Sequence, residues 1–582
     1  MNKIDIEKIL VSKIPSLETK FPKFIRNSII IFLERLFLLK KINNFIEANN
    51  EKFGVEFIDE FFETFDISYI ISQRDREKIP SEGRVIVVAN HPFGGLDGLI
   101  LLKLLLSVRS DVKIIVNDVL LNISNLKELF LPFDLFSNVK FKENYQAIAK
   151  AINEESAIIL FPAGEVSRLG LNGIKDSQWK KGLVYFSDKF QAPVLPIYVK
   201  GRNSLLFYFV SFISKKFSMF LLPYELMNKE KKTIELKIGN LISPKALSTK
   251  YFNANHLSKS LRKHLYRIAK NKPGIFETES TVIQPVDKQK IKMQLNNSEF
   301  IGQTTDGKKI YLVNYSNGQD VVREIARLRE ITFRKVGEGT GRSKDFDVYD
   351  KHYKHLVLWD DDNLEIVGAY RFAFGGQVLS EFGIQGFYTS SLFDYSDNLK
   401  RILPNSIELG RSFIQSKYWN SLALDYLWQG IGKVLILHPE IRYLFGAVSM
   451  SNNYSENAKN LIVYFYTKWF SKNNNLVYSK NKFALSEKKI SELKELFNAD
   501  NYEQELRILK SQLKILGFSV PVLFKQYADI CLNEGVNFVD FSIDPDFNNC
   551  IDAFIILDIT YIKESKRARY LKPIENTVEL VS

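Results

Sequence analysis

The chain has 582 residues, 45% hydrophobic and 25% charged, a globular composition too long for one core, so about two domains are expected within a range reaching four. Its net charge of +13 suits nucleic acid, an anionic membrane or an acidic protein, but no zinc-finger spacing or RNP-type aromatic motif supports nucleic acid, which is set aside as a partner. Cys531 and Cys550 are the only cysteines, which excludes a disulfide framework and fits a reducing cytosol.

The first residues, MNKIDIEKIL, lack a signal-peptide pattern, and no apolar run reaches the roughly 18 residues that read as a spanning helix. Residues 1–80 read as helical from apolar recurrences three and four apart. NSIIIFLERLFLLKK (27–41) and SLLFYFVSFISKKFSMFLL (204–222) join apolar faces to Lys and Arg. Each is read either as an interfacial membrane helix or as a buried helix.

From residue 85 strands alternate with helices: RVIVVAN, LDGLILLKLLLS, DVKIIVND, YQAIAKAINEE, SAIILFP and PVLPIYVKG. This alternation predicts an α/β domain over 1–272. Residues 273–300 are polar and aperiodic and read as a linker. A second α/β run occupies 301–582. VVREIARLREITFRKVG predicts an amphipathic helix, and HLVLWDDDNLEIVGAYRFAF a hairpin turning at Asp360–Asn363. NSIELGRSFI, YLFGAVSM and CIDAFIILDIT predict strands, SLALDYLWQGIGKVLILH a helix, and 480–515 charged amphipathic helices. The two runs share no motif, which predicts two different α/β domains rather than a duplication.

The first chemical signal is NHPFGGLDG, a strand end, a Gly pair and a helix start. Asp97 at the helix start can cap it or face His91. A neutral His bonded to a carboxylate is a tuned general base, able to take a proton from a hydroxyl as its oxygen attacks a thioester. The plainer reading is a turn His and a helix cap. A second block, FPAGEVSR (161–168), again ends a buried strand.

Together these blocks resemble the glycerolipid O-acyltransferase superfamily of the lysophosphatidic-acid acyltransferase type, over roughly residues 80–250. Its hallmarks are N-H-x4-D and, later, F-P-E-G-T-R-S; APVLPIYV (192–199) is similar to a later apolar element. The resemblance implies His91 as base, Asp97 as its orienting partner, and Phe161, Pro162, Gly164, Glu165, Ser167 and Arg168 as acceptor-binding residues. Two departures stand out: five residues separate His91 from Asp97, and Ala163 stands where the family has Glu, with Glu165 two places on. Both point to an acceptor other than the usual phosphate-bearing one.

The second signal is a set: Arg329 with Phe333, Asp347 with Asp350, Arg371, then Glu408 with Arg411. Singly, each has a plain reading as a solvated Arg, a helix-capping Asp or a strand pair on opposite faces. In order, they resemble the GNAT fold in its long-chain branch, which holds acyl-homoserine-lactone synthases and lyso-ornithine-lipid N-acyltransferases. The branch's Trp between the first two pairs is absent; KVGEGTG stands there. The resemblance implies Glu408 as the base for an α-amine. It implies the Asp pair either holding cationic groups of the substrate or ordering its loop through Arg371 and Arg411. WQGIGK (428–433) is either a phosphate-binding helix start or a Gly pair in a packed helix.

A glycerolipid acyltransferase-like domain before a GNAT-like domain resembles the bifunctional ornithine-lipid synthases. That implies N-acylation of an amino acid, most simply ornithine, with a 3-hydroxyacyl group, then O-acylation of the new hydroxyl. Glycine or another amino acid is the alternative headgroup, and one domain serving only to bind membrane or carrier is the other. The implied partners are acyl carrier protein, an anionic membrane surface, and amino-acid and lyso-lipid acceptors. The donor is an acyl carrier protein or coenzyme A thioester, with no metal and no bound cofactor. Placement is expected on the inner face of the membrane, peripheral and cytoplasmic.

Overall fold

The run VIVVA (Val85–Ala89) is buried at every position, the pattern of a strand covered on both faces of a parallel sheet. The computed structural model describes residues 39–116, 120–132, 141–170, 173–219, 221–248, 252–472 and 475–571. They fall in two units that divide between Gln284 and Pro285. Residues 27–38 of the first candidate interfacial helix lie outside the described residues.

The strands of the first unit are β1 (Ser68–Ile70), β2 (Val85–Ala89), β3 (Val112–Val116), β4 (Phe130–Pro132), β5 (Ala157–Leu160), β6 (Arg168–Gly170), β7 (Gly173–Lys175), β8 (Val194–Val199), β9 (Thr233–Ile238), β10 (Leu241–Ile242) and β11 (Thr278–Glu279). The main path runs β1-β9-β8-β2-β5-β3-β4. β2 lies parallel to both β5 and β8, with the helices Gly95–Leu106, Phe141–Asn153 and Gly182–Phe190 carrying the chain between parallel strands. Because β2 and β5 are parallel neighbours, the loops after them, NHPFGG and FPAGEV, emerge at the same sheet edge. That edge, beyond the carboxyl ends of the strands, is where open α/β sheets place ligands. The expectation of an all-helical stretch over 1–80 fails at Ser68–Ile70, which pairs in parallel with β9.

The segment expected as a linker, 273–300, holds β11 and a helix, Lys288–Asn296, whose Ile291 and Leu295 are buried. Asp287 caps that helix by accepting from the backbone N–H of Gln289 and Lys290.

In the second unit β12 (Glu299–Gln303), β13 (Lys309–Asn314), β14 (Lys354–Asp360), β15 (Glu365–Phe374), β16 (Phe393–Tyr395), β17 (Ser406–Ile414), β18 (Tyr443–Met450), β19 (Val477–Ser479), β20 (Val536–Asp544) and β21 (Cys550–Asp558) appear in chain order. Eight of them form one sheet, β12-β13-β14-β15-β17-β18-β21-β20. The hairpin β14–β15 turns at Asp360, whose Oδ1 accepts from the N–H of Asp362 and Asn363. Every pairing is antiparallel except β17 with β18, which are parallel over Ser406–Glu408 and Tyr443–Phe445 only. Beyond that point the two strands part, and the sheet opens. The helix Gln319–Val336 carries Asp320 in its first turn and Arg334 and Lys335 in its last, charges that suit the helix dipole, and Gly337 ends it at φ +81°.

Candidate active sites

In the first unit the strand-end chemistry converges as the spacing predicts. His91 Nδ1 lies 3.0 Å from Asp97 Oδ2, with Asp97 fully buried and His91 18% exposed. The same oxygen accepts the backbone N–H of Phe93 at 2.8 Å and of Gly94 at 3.0 Å. Gly94 takes φ +90°, a backbone region most side chains avoid, and this lets the turn fold back over the helix start. Burial pushes the Asp97 carboxyl up, against the pull of His91 and these two amides. The His91 ring stacks on Phe161, centroids 4.0 Å apart.

The Asn90 side chain both donates to Val199 O and accepts from Val199 N, at 2.8 Å each, and so pins the loop to β8. Phe93 packs so close to Gly201 that a Cβ there would sit 1.8 Å from the ring.

The second block surrounds this pair. The Ser167 N–H donates to His91 O at 2.8 Å, and its buried hydroxyl donates to Asp176 Oδ1 at 2.6 Å. Pro162 O accepts from Lys180 N, and Gly164 turns the chain at φ +68°. Arg168 reaches the Ser211 and Ser218 hydroxyls at 2.5 Å each, lies over the Phe207 ring, and approaches Glu165 at 3.8 Å. Glu165 also faces Lys215 at 3.6 Å. Ala163, where the resembled family has Glu, is buried.

In the second unit the set predicted from order becomes one buried ionic cluster. Arg329 donates to both oxygens of Asp350 at 2.9 Å, and its Nε lies 3.1 Å from Asp345. Arg371 meets Asp347 at 2.6 Å and Asp350 at 3.2 Å. Arg411 approaches Asp345 at 3.4 Å and Asp347 at 4.0 Å. Three guanidinium groups thus balance three carboxylates, the condition for burying charge. Burial alone would raise Asp350; Arg329 and Arg371 overcome it and hold the carboxyl well below the usual range. Of the two roles open to the Asp pair, the geometry matches ordering its loop, since Asp347 also caps Val348–Lys351.

Glu408 is held by a separate set of partners. It is fully buried and accepts from the Tyr353 hydroxyl, from the Tyr388 and Thr389 N–H groups, and from the Thr389 hydroxyl. Burial pushes its carboxyl up, against the pull of the Tyr353 and Thr389 donors. The WQGIGK segment lies within the helix Ala423–Leu437. There a Cβ on Gly432 would stand 2.0 Å from Tyr570 O and one on Gly430 2.8 Å from Leu356, so these glycines serve helix packing rather than a phosphate loop.

A cavity of about 70 Å³ fills the gap where β17 and β18 part. Phe333 and Arg411 reach it, together with Glu338, Tyr388, Ser449 and Asp552, which the sequence reading did not single out. Arg411 sits at φ +49°, at a bulge where β17 carries an extra residue against β15. Its guanidinium packs between the Tyr388 and Phe547 rings at 4.6 and 4.5 Å. Among the described residues no group of three or more His, Cys, Asp or Glu is arranged to hold a metal ion.

An acyltransferase family model matches residues 8–270, and an acetyltransferase (GNAT) domain model matches 328–429. A glycine N(alpha)-acyltransferase of Bacteroides thetaiotaomicron is 34% identical over 304 residues, covering 50% of this chain and 89% of that protein. A lyso-glycine lipid O-acyltransferase of the same organism is 31% identical over 247 residues, covering 41% of this chain and 88% of that protein. This chain belongs to the aminolipid-type acyltransferases. An L-ornithine N(alpha)-acyltransferase of Agrobacterium fabrum is 31% identical over 123 residues, 20% of this chain and 41% of that protein.

The acyltransferase is thus an N- and O-acyltransferase with an O-acyltransferase-like domain before a GNAT domain. Sequence reasoning missed Asp176 in the first domain. Its Oδ1 accepts from His91 N–H and Ser167, and its Oδ2 from Trp179 Nε1 at 2.8 Å, so it ties the two motif loops together. An aspartate following GIK carries no motif to mark it; only the strand pairing brings it to His91.

Proposed function

We propose that this acyltransferase builds a diacylated amino-acid lipid in two steps, with glycine as headgroup. The GNAT domain transfers a 3-hydroxyacyl group from an acyl carrier protein thioester to the α-amine. The first domain then acylates the hydroxyl of that product. His91 takes the hydroxyl proton as the oxygen attacks the thioester carbonyl, and Asp97 orients the ring and stabilises the imidazolium. When the C–S bond breaks, His91 returns the proton to the departing thiolate.

The observation that carries the reading is the His91 Nδ1–Asp97 Oδ2 pairing at the mouth of the β2–β5 edge. Glycine is favoured over the ornithine implied by the sequence resemblance because the matches to glycine-lipid enzymes span most of those proteins, while the ornithine match spans 41% of its protein. Ornithine stands as the second reading, on that match alone.

An anionic bilayer as working surface is supported by the helix Leu205–Ile213. It exposes Leu205, Phe209, Phe212 and Ile213, with Lys215 beside them, and its Ser211 touches Arg168 of the acceptor block. Among the described residues no helix is long and apolar enough to cross a membrane. The charge of +13 suits acidic carrier protein as donor.

The test supplies purified enzyme with 3-hydroxyacyl carrier-protein thioester and either glycine or ornithine, and identifies the lipid by mass spectrometry. Diacylated glycine lipid is expected. Product from ornithine with none from glycine would reverse the headgroup assignment.

A further inference from the structure

The unassigned feature of the second unit is the cavity at the β17–β18 gap. Asp552 is 1% exposed, lines this cavity, and its Oδ2 has no hydrogen-bond partner among the described residues. A buried carboxylate oxygen left without a donor is costly, and such groups call for a ligand or a proton. Glu338 lines the same space. Arg411 lines it too, its Nε 3.4 Å from Asp345 and its guanidinium held between the Tyr388 and Phe547 rings. The walls therefore present carboxylates for a cation beside a guanidinium whose charge suits an anion, the complement of a zwitterion.

We propose that this cavity is the amino-acid subsite of N-acylation, in which Asp552 and Glu338 receive the α-ammonium and take its proton while Arg411 faces the α-carboxylate. The assignment rests on the amino-acid acceptor proposed above and adds the groups that hold it. The freed amine forms the N–C bond with the thioester carbonyl, and the C–S bond breaks. Two protons leave the nitrogen: one passes to the carboxylate and on to solvent, the other to the departing thiolate.

Two further observations agree. Burial, helped by the charge of Asp544, pushes Asp552 up to about 7, and burial beside Asp552 pushes Glu338 up to about 8. Both groups then exchange protons near neutral pH, the range a base for this step needs. The cavity is small, about 70 Å³, which suits a compact acceptor such as glycine.

The experiment uses the full chain with acyl carrier-protein thioester and varied glycine, comparing wild type with Asp552→Asn, Asp552→Glu and Glu338→Gln. Asp552→Asn is expected to lower kcat/KM for the amino acid about 10²–10⁴-fold, with partial rescue in Asp552→Glu. Circular dichroism reports whether each variant folds, and O-acylation of supplied N-(3-hydroxyacyl)glycine whether the first unit still works. Wild-type kcat/KM in a folded Asp552→Asn overturns the proposal. Should that variant not fold, Glu338→Gln decides: a KM for the amino acid raised at least about tenfold, roughly 1.4 kcal/mol, supports the subsite, and an unchanged KM overturns it. If wild type acts on ornithine and not glycine, the headgroup reading falls, and the same variants tested with ornithine still decide the cavity.

Discussion

Asp97 Oδ2 meets His91 Nδ1 at 3.0 Å while already accepting the N–H groups of Phe93 and Gly94. The carboxylate is therefore fixed by the turn itself before the imidazole reaches it. The Gly pair makes this geometry affordable to the chain: Gly94 bends it back, and Asp97 then stands in the first turn of the helix that begins at Gly95.

Asp97→Asn keeps the size of the side chain but removes its charge and the tautomer it enforces. O-acylation of supplied N-(3-hydroxyacyl) amino acid is expected to drop about 10²–10⁴-fold, with N-acylation unchanged. Separate assays of the two half-reactions check this; equal losses in both would contradict it.

The Arg–Asp cluster sets an acid limit on the second unit. Asp350 titrates below its unfolded value of about 3.9, so the stability it contributes is present above that pH. It is lost as pH falls through the lower folded value. Asp350→Asn leaves Arg329 half-paired in a buried site and is expected to cost about 3–5 kcal/mol. Denaturant unfolding at neutral pH measures the cost.

Gly432→Ala places a methyl against Tyr570 O. The expected result is a loss of about 1–3 kcal/mol from overpacking, with the KM for the thioester donor unchanged in the folded protein. A raised donor KM at wild-type stability would restore the phosphate-loop reading of WQGIGK.

Phe209, Phe212 and Ile213 are exposed by 66%, 92% and 69% on one short helix. Replacing all three with Ser removes apolar side chains worth roughly 1.5–3 kcal/mol each on full burial. Binding to vesicles of anionic phospholipid, read by sedimentation, is expected to weaken at least about tenfold. Unchanged binding would remove this helix from the membrane surface.

What the sequence disclosed depended on how locally each feature is written. The alternation from Arg84 to Lys200 was legible because buried parallel strands are unbroken apolar runs, and NHPFGGLD was legible because strand, turn and helix start are consecutive. The ionic cluster was legible only as an ordered set: its members sit on the helix Gln319–Val336, on a loop and on β15 and β17, and three-dimensional pairing alone says who meets whom. Glu408 shows the limit of that reading. Its position on β17 was found, but its partners Tyr353 and Thr389 are remote in sequence, and only the fold shows that they hold it. Asp176, Glu338 and Asp552 escaped for the same reason, since burial and convergence, not spacing, give them their chemistry.

The most direct measurement follows the lipid products of the His91→Ala enzyme given 3-hydroxyacyl and acyl carrier-protein thioesters with glycine. The account predicts that mono-acylated glycine bearing a free hydroxyl accumulates while the diacylated lipid disappears. Diacylated product at the wild-type rate would contradict it.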